Sequence, residues 1–154
     1  MQSCPGLRDK VSCKRERLSH SEAAVRYTDH EFDPGRLLTF IETDVFRSAS
    51  RKCRLNDDDL IELQTIILRR PGAGAVIMGA GGVRKLRFSP SRKKHGKSGS
   101  LRALYCFFEE FGVVLLVTIY SKTRQEDISA ADKKAIQQMI LQQYRLFSKG
   151  ADDE

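Results

Sequence analysis

From residue 37 onward the apolar positions change period several times, and each change marks an element. Leu37 to Glu42 is a short apolar run closed by a polar residue, which predicts a strand. Phe46, Ala49 and Cys53 then recur at helical spacing, so a helix is expected over 44–54. Asn56-Asp57-Asp58-Asp59 reads as a second helix start, because acidic and amide side chains cap free N–H groups and suit the positive end of the helix dipole. Leu60, Leu63 and Ile67 lie on one face of that helix, with Ile61, Ile66 and Leu68 widening it. Pro71-Gly72 ends it.

The period then shortens to two. Val83 to Phe88, Leu101 to Phe108 and Val113 to Tyr120 predict three strands, the last apolar on both parities and so expected to be central and covered on both sides. Glu109 to Gly112 is the turn between the last two. Ser129 and Asp132 form a variant capping box, after which Ile136, Met139, Ile140, Tyr144 and Phe147 predict a terminal amphipathic helix. The fold class expected is α+β: a strand and two helices packed on a mainly antiparallel sheet, with a C-terminal helix. Residues 1–36 lack periodicity and are expected to be a poorly ordered extension. The domain then runs over 37–148, with an acidic tail at 149–154.

Gly72, Gly74, Gly79, Gly81 and Gly82 invite a phosphate-loop reading. Such loops need a helix N-terminus after the glycines, and here a strand follows. A turn with close backbone approach is the expectation instead.

The charge changes the picture. The 154 residues carry a formal net charge of +7, and it is clustered: no acidic residue occurs between Leu63 and Phe108. That balance points to a polyanionic partner. Cys4, Cys13, Cys53 and Cys106 include no C-x-x-C pair, and with His20 and His30 they match no zinc spacing. Cys106 falls in a strand pattern and reads as core. No metal or cofactor is expected. There is no signal-peptide core, and the longest apolar run, Val113 to Val117, is too short for a bilayer. A cytoplasmic protein with no membrane partner is the default expectation.

Alternation sorts the cations. Leu86 and Phe88 favour the core together with Arg84 on their parity, so Lys85 and Arg87 project from the other face. Arg102 begins the next strand, on the opposite parity from Tyr105, and Lys122 follows the last. Between the first two strands lies a basic loop with Arg92, Lys93, Lys94, His95 and Lys97. Without fixed geometry, its lysines are expected to supply salt-dependent affinity for a polyanion's backbone. His95 is expected to be solvated or to touch phosphate.

Within residues 37–147 stand the segments FIETDVF, LRRPGAG, IMGAGGVRKLRF, GKSGSLRALY and VTIYSKTRQEDIS. Together they make the chain resemble the RelE/ParE superfamily of type II toxins, with its HigB-like branch nearest. Phe88 stands where the family often has another aromatic, and the first 36 residues fall outside the pattern. The resemblance implies a toxin that cleaves messenger RNA on the ribosome by attack of a ribose 2′-OH on the adjacent phosphate. It implies a cognate helix-turn-helix antitoxin as partner, with DNA bound only through the antitoxin complex. Arg87, Arg102 and Lys85 are then expected to clamp phosphate, and Lys122 to serve as general acid or base. Arg84, Tyr120 and the loop residues would contact RNA. A gyrase inhibitor of ParE type, or a non-enzymatic nucleic-acid-binding regulator of the same fold, are the alternatives.

Overall fold

The computed structural model describes residues 38–93, 100–123 and 128–152. The expected N-terminal extension and the centre of the basic loop lie outside these residues. The chain forms strand β1 (Thr39–Glu42), helices α1 (Asp44–Lys52) and α2 (Asp57–Arg69), and strands β2 (Ala75–Val76), β3 (Arg84–Phe88), β4 (Leu101–Phe108) and β5 (Val113–Ser121), then helix α3 (Ala130–Asp152). A short 3-10 turn, Glu109–Phe111, joins β4 to β5. The five strands form one mixed sheet in the order β1-β5-β4-β3-β2. Only β1 runs parallel to its neighbour, β5. The architecture is α+β, as the periodicity predicts.

As expected, β5 lies inside the sheet, between β1 and β4, and is buried on both faces. Two details differ from expectation. The two-residue strand β2 is an addition too short for periodicity to reveal. α3 also continues to Asp152, through much of the segment expected as a tail.

Each face of the sheet carries its own core. On one, Phe46 of α1 and Leu63 and Ile67 of α2 pack against Phe88, Ala103, Tyr105, Leu116 and Ile119. On the other, Ile140 of α3 packs with Leu104, Cys106, Phe108, Leu115 and Val117, joined by Ala80 and Val83. Ile61, expected to widen the buried stripe of α2, is instead exposed. Burial of Cys106 in the second core pushes its thiol up to about 11.

The helix starts are built as their sequences predict. Asn56 Oδ1 accepts from the Asp59 N–H at 2.9 Å, and the Asp59 carboxylate accepts from the Asn56 N–H at 3.0 Å, a reciprocal capping box. Ser129 Oγ accepts from the Asp132 N–H at 3.1 Å and donates to the Asp132 carboxylate at 2.7 Å. The far end of α3 is fixed by aromatic contacts, with Phe147 edge-on to Phe108 and Tyr144 edge-on to Phe111.

The glycine segment is a close-approach turn. Gly81 has φ +71°, and a Cβ there would lie 3.3 Å from the Cα of Gln137 on α3. A side chain there would be strained both by that tight contact and by the positive φ.

Candidate nucleic-acid interface

The sheet register decides which cations meet. Arg87 of β3 lies directly opposite Arg102 of β4, and Arg102 lies directly opposite Tyr120 of β5. One row of the sheet therefore reads Arg87, Arg102, Tyr120. The next row along reads Lys85, Leu104, Thr118. Because Leu86, Phe88, Leu101 and Ala103 belong to the core under α1 and α2, alternation places Lys85, Arg87 and Arg102 on the α3 face. α3 covers Leu104, Cys106 and Phe108 on that face but leaves Arg87 exposed and Arg102 partly exposed.

Tyr120 reaches this row through a β-bulge. Leu104 pairs with Thr118 and Tyr105 with Leu116, so Val117 is an extra residue without a partner across the ladder. Strict alternation from Val113, Leu115 and Val117 would put Ile119 on the α3 face and Tyr120 on the other. The bulge shifts the register, Ile119 joins the α1–α2 core, and Tyr120 joins Arg102. Thr43 secures the kink. Its Oγ1 donates to the Val117 carbonyl at 2.7 Å and accepts from the Phe46 N–H at 2.9 Å, while its backbone N–H donates to the Leu116 carbonyl at 3.1 Å. One residue thus ends β1, caps α1 and holds the bulge. Sequence reading missed both Thr43 and the bulge, since apolar residues on both parities of β5 hide a shift of one. A Thr before Asp44 at a helix start was the one visible signal.

Like charges placed directly opposite each other across strands are unfavourable. Among the described residues neither Arg87 nor Arg102 has a carboxylate partner. Arg102 Nη1 donates to Ser100 Oγ at 2.8 Å and to the Leu101 carbonyl at 3.3 Å, which holds its guanidinium at the root of the basic loop. Lys122 is exposed in the turn just after β5, one residue beyond Ser121, which pairs with Leu101. Three of the four candidate catalytic residues therefore share one end of the α3 face by register, and Lys122 follows the strand end beside them in sequence.

The remaining candidates divide. Arg84 is committed to the fold, its Nη1 donating to the carbonyls of Gly72 and Gly74 at 3.2 and 2.8 Å. Tyr105 works beside it under α1 and α2, as its parity predicts: its hydroxyl donates to the Pro71 carbonyl at 2.7 Å and accepts from the Gly74 N–H at 3.1 Å. Burial raises the pKa of that hydroxyl, although the Gly74 N–H and Arg84 pull it down.

Arg92 and Lys93, expected in a loop without fixed geometry, are anchored. Arg92 forms an ion pair with Asp59 and also donates to the Arg54 carbonyl at 2.7 Å. Lys93 Nζ donates to the Cys53 carbonyl at 2.8 Å. The Ser91 hydroxyl donates to Glu62 at 2.6 Å. The Arg92 and Lys93 contacts satisfy carbonyls just after α1, where Arg54 adopts φ 56°. Lys94, His95 and Lys97 lie outside the described residues. No group of acidic, histidine or cysteine side chains with metal-binding geometry occurs among the described residues. No helix among them is long and apolar enough to cross a membrane.

No protein-family description matches the chain. Among solved structures it is similar to that of a mutant of the E. coli toxin RelE in the free state. The identity is 17% and the TM-score 0.40, over 58% of this chain and 88% of that one.

Proposed function

We propose that this chain is the toxin of a type II toxin–antitoxin pair, of RelE type and HigB-like, and that it cleaves messenger RNA on the ribosome. The observation that carries the reading is the Arg87–Arg102 opposition on an open sheet face. Two arginines paired across neighbouring strands, with no carboxylate partner among the described residues, suit an anion with several oxygens, and Arg forks match phosphate geometry. The G-G-x-R-K-x-R, G-K-x-G-x-x-R-x-x-Y and Y-x-K segments supply the family resemblance.

In this reading the ribose 2′-oxygen attacks the adjacent phosphorus and the bond from phosphorus to the 5′-oxygen breaks. The products are a 2′,3′-cyclic phosphate and a 5′-hydroxyl. Charge grows on the non-bridging oxygens in the transition state, where Arg87, Arg102 and Lys85 stabilise it. Lys122 moves a proton to or from the reacting oxygens. Arg84, Arg92 and Lys93 support the backbone around the site, and Lys94, His95 and Lys97 add RNA affinity. The partners are a helix-turn-helix antitoxin, the ribosome and its mRNA, and the compartment is the cytoplasm.

Expression in growing bacteria with mapping of mRNA 5′ ends tests this. Cleavage within translated codons is expected, abolished by Arg102→Ala. Growth arrest with DNA damage and intact mRNA would instead indicate a gyrase inhibitor. No arrest would indicate a non-enzymatic nucleic-acid-binding regulator.

A further inference from the structure

Beside the cationic rows lies a cleft of about 460 Å³ between β5 and the first turns of α3. Its walls are apolar: Leu104, Val117, Ile136 and Met139. Its polar groups are few, chiefly Thr118, Tyr120 and the Asp132 carboxylate. The volume falls in the usual range for small-ligand sites, and so does the mix of apolar wall with a few polar groups.

The register ties this cleft to the cations. Tyr120 and Thr118, which line it, sit opposite Arg102 and Leu104, and Leu104 sits opposite Lys85. Arg102 and Leu104 are two residues apart on one strand face, a rise of roughly 7 Å. That separation suits the reach from a phosphate to the base of the same nucleotide. Charge fixes the orientation. Phosphate is drawn to Arg87, Arg102 and Lys85, and Asp132 repels it from the cleft end. The same carboxylate accepts hydrogen bonds from N–H groups. One of its oxygens takes the Ser129 hydroxyl, which leaves acceptor capacity free.

We propose that the cleft receives a nucleobase bearing an exocyclic amino group, while the adjoining phosphate lies on the Arg87–Arg102 row. This rests on the reading of those arginines as phosphate clamps. The base would contact the Tyr120 side of the cleft and present its amino group to Asp132. The cleft thereby becomes the element that sets base preference, disfavouring uracil, which has no amino group.

The test is methyl-resolved NMR of the full chain titrated separately with adenosine 5′-monophosphate, uridine 5′-monophosphate and inorganic phosphate. Adenosine monophosphate is expected to move the methyl signals of Ile136, Met139, Leu104 and Val117, and inorganic phosphate to leave them in place. Uridine monophosphate should bind about two- to tenfold more weakly, the worth of one hydrogen bond. Asp132→Asn should erase that difference. Ala135→Phe, at an exposed position lining the cleft, should abolish the methyl shifts while the α-helical circular dichroism is retained. Identical methyl responses to adenosine monophosphate and to phosphate would overturn the proposal, as would unchanged base preference in Asp132→Asn. Cleft shifts in a chain that cuts no mRNA would sink the nuclease reading and leave the base site standing. Cleavage without cleft shifts would sink the base site alone.

Discussion

Arg92 lays its guanidinium along the carboxylate of Asp59, with Nε 2.8 and 2.9 Å from the two oxygens and Nη2 2.6 Å from Oδ2. Asp59 is only 2% exposed, and the same carboxylate caps α2 through the Asn56 N–H. One side chain therefore fixes a helix start and the root of the basic loop. The arginine is not a loose phosphate collector in this arrangement. It ties the start of the loop to the first turn of α2 and to the Arg54 carbonyl.

The pH dependence follows from that carboxylate. Burial pushes the Asp59 pKa up, but the Arg92 fork and the Asn56 N–H outweigh it and hold it below the usual value. Hydrogen bonding to Asp59 in turn raises the pKa of Arg92. A depressed folded-state pKa contributes stability above the unfolded value, about 3.9 for Asp, and loses it as pH falls through the folded value. Asp59→Asn is therefore expected to be less stable than the parent chain at pH 7, with the gap narrowing below about pH 4. Urea midpoints measured from pH 7 to pH 2 check this. A gap that stays constant over the range would show that the carboxylate charge contributes nothing.

The Tyr105 hydroxyl bridges the Pro71 carbonyl and the Gly74 N–H in the loop after α2. The side chain is fully buried, so no water replaces it. Tyr105→Phe removes one partner from each of two buried backbone groups. The expected loss is about 1–3 kcal/mol. Equilibrium denaturation measures it, and a loss near zero would mean that the loop re-pairs elsewhere. Gly74 has no space to compensate by a side chain, since a Cβ there would meet Arg84 at 3.0 Å and the Tyr105 ring at 3.1 Å.

Most of the fold was legible because most elements bury one face. Leu63 and Ile67, Leu86 and Phe88, and Ile136 and Ile140 show their periods plainly, and the helix caps at Asn56 and Ser129 occur where side-chain chemistry requires them. The cation row was legible in part. Parity put Lys85 and Arg87 on one face, but pairing of Arg87 with Arg102 is a long-range register that no local pattern encodes. Tyr120 was harder still, because the Val117 bulge reverses its parity in a strand buried on both sides. The roles of Arg84, Arg92 and Lys93 were hidden for another reason. A cation in a sequence looks the same whether it meets phosphate or a nearby carbonyl, and only the folded chain brings Gly74, Asp59 and Cys53 to them.

The opposition of Arg87 and Arg102 carries a cost that separates function from folding. Two like charges paired across antiparallel strands destabilise the sheet, and β-branched residues suit such a position better. Arg87 is exposed, so shortening it leaves no cavity. Arg87→Thr is therefore expected to leave stability unchanged or raise it by about 0.2–1 kcal/mol. The same change removes one of the two phosphate forks, and under the nuclease reading it should lower mRNA cleavage by at least about tenfold, near the worth of one charge-assisted hydrogen bond. Raising the salt concentration should narrow the stability difference, because screening weakens the repulsion in the parent chain. Thermal melts at two ionic strengths and a cleavage assay on translating ribosomes read the two effects separately. A variant that folds better and cuts less places Arg87 in the site. A variant that loses stability and activity together would mean that Arg87 serves the sheet, and the phosphate clamp would then have to be sought at Lys85 and Arg102.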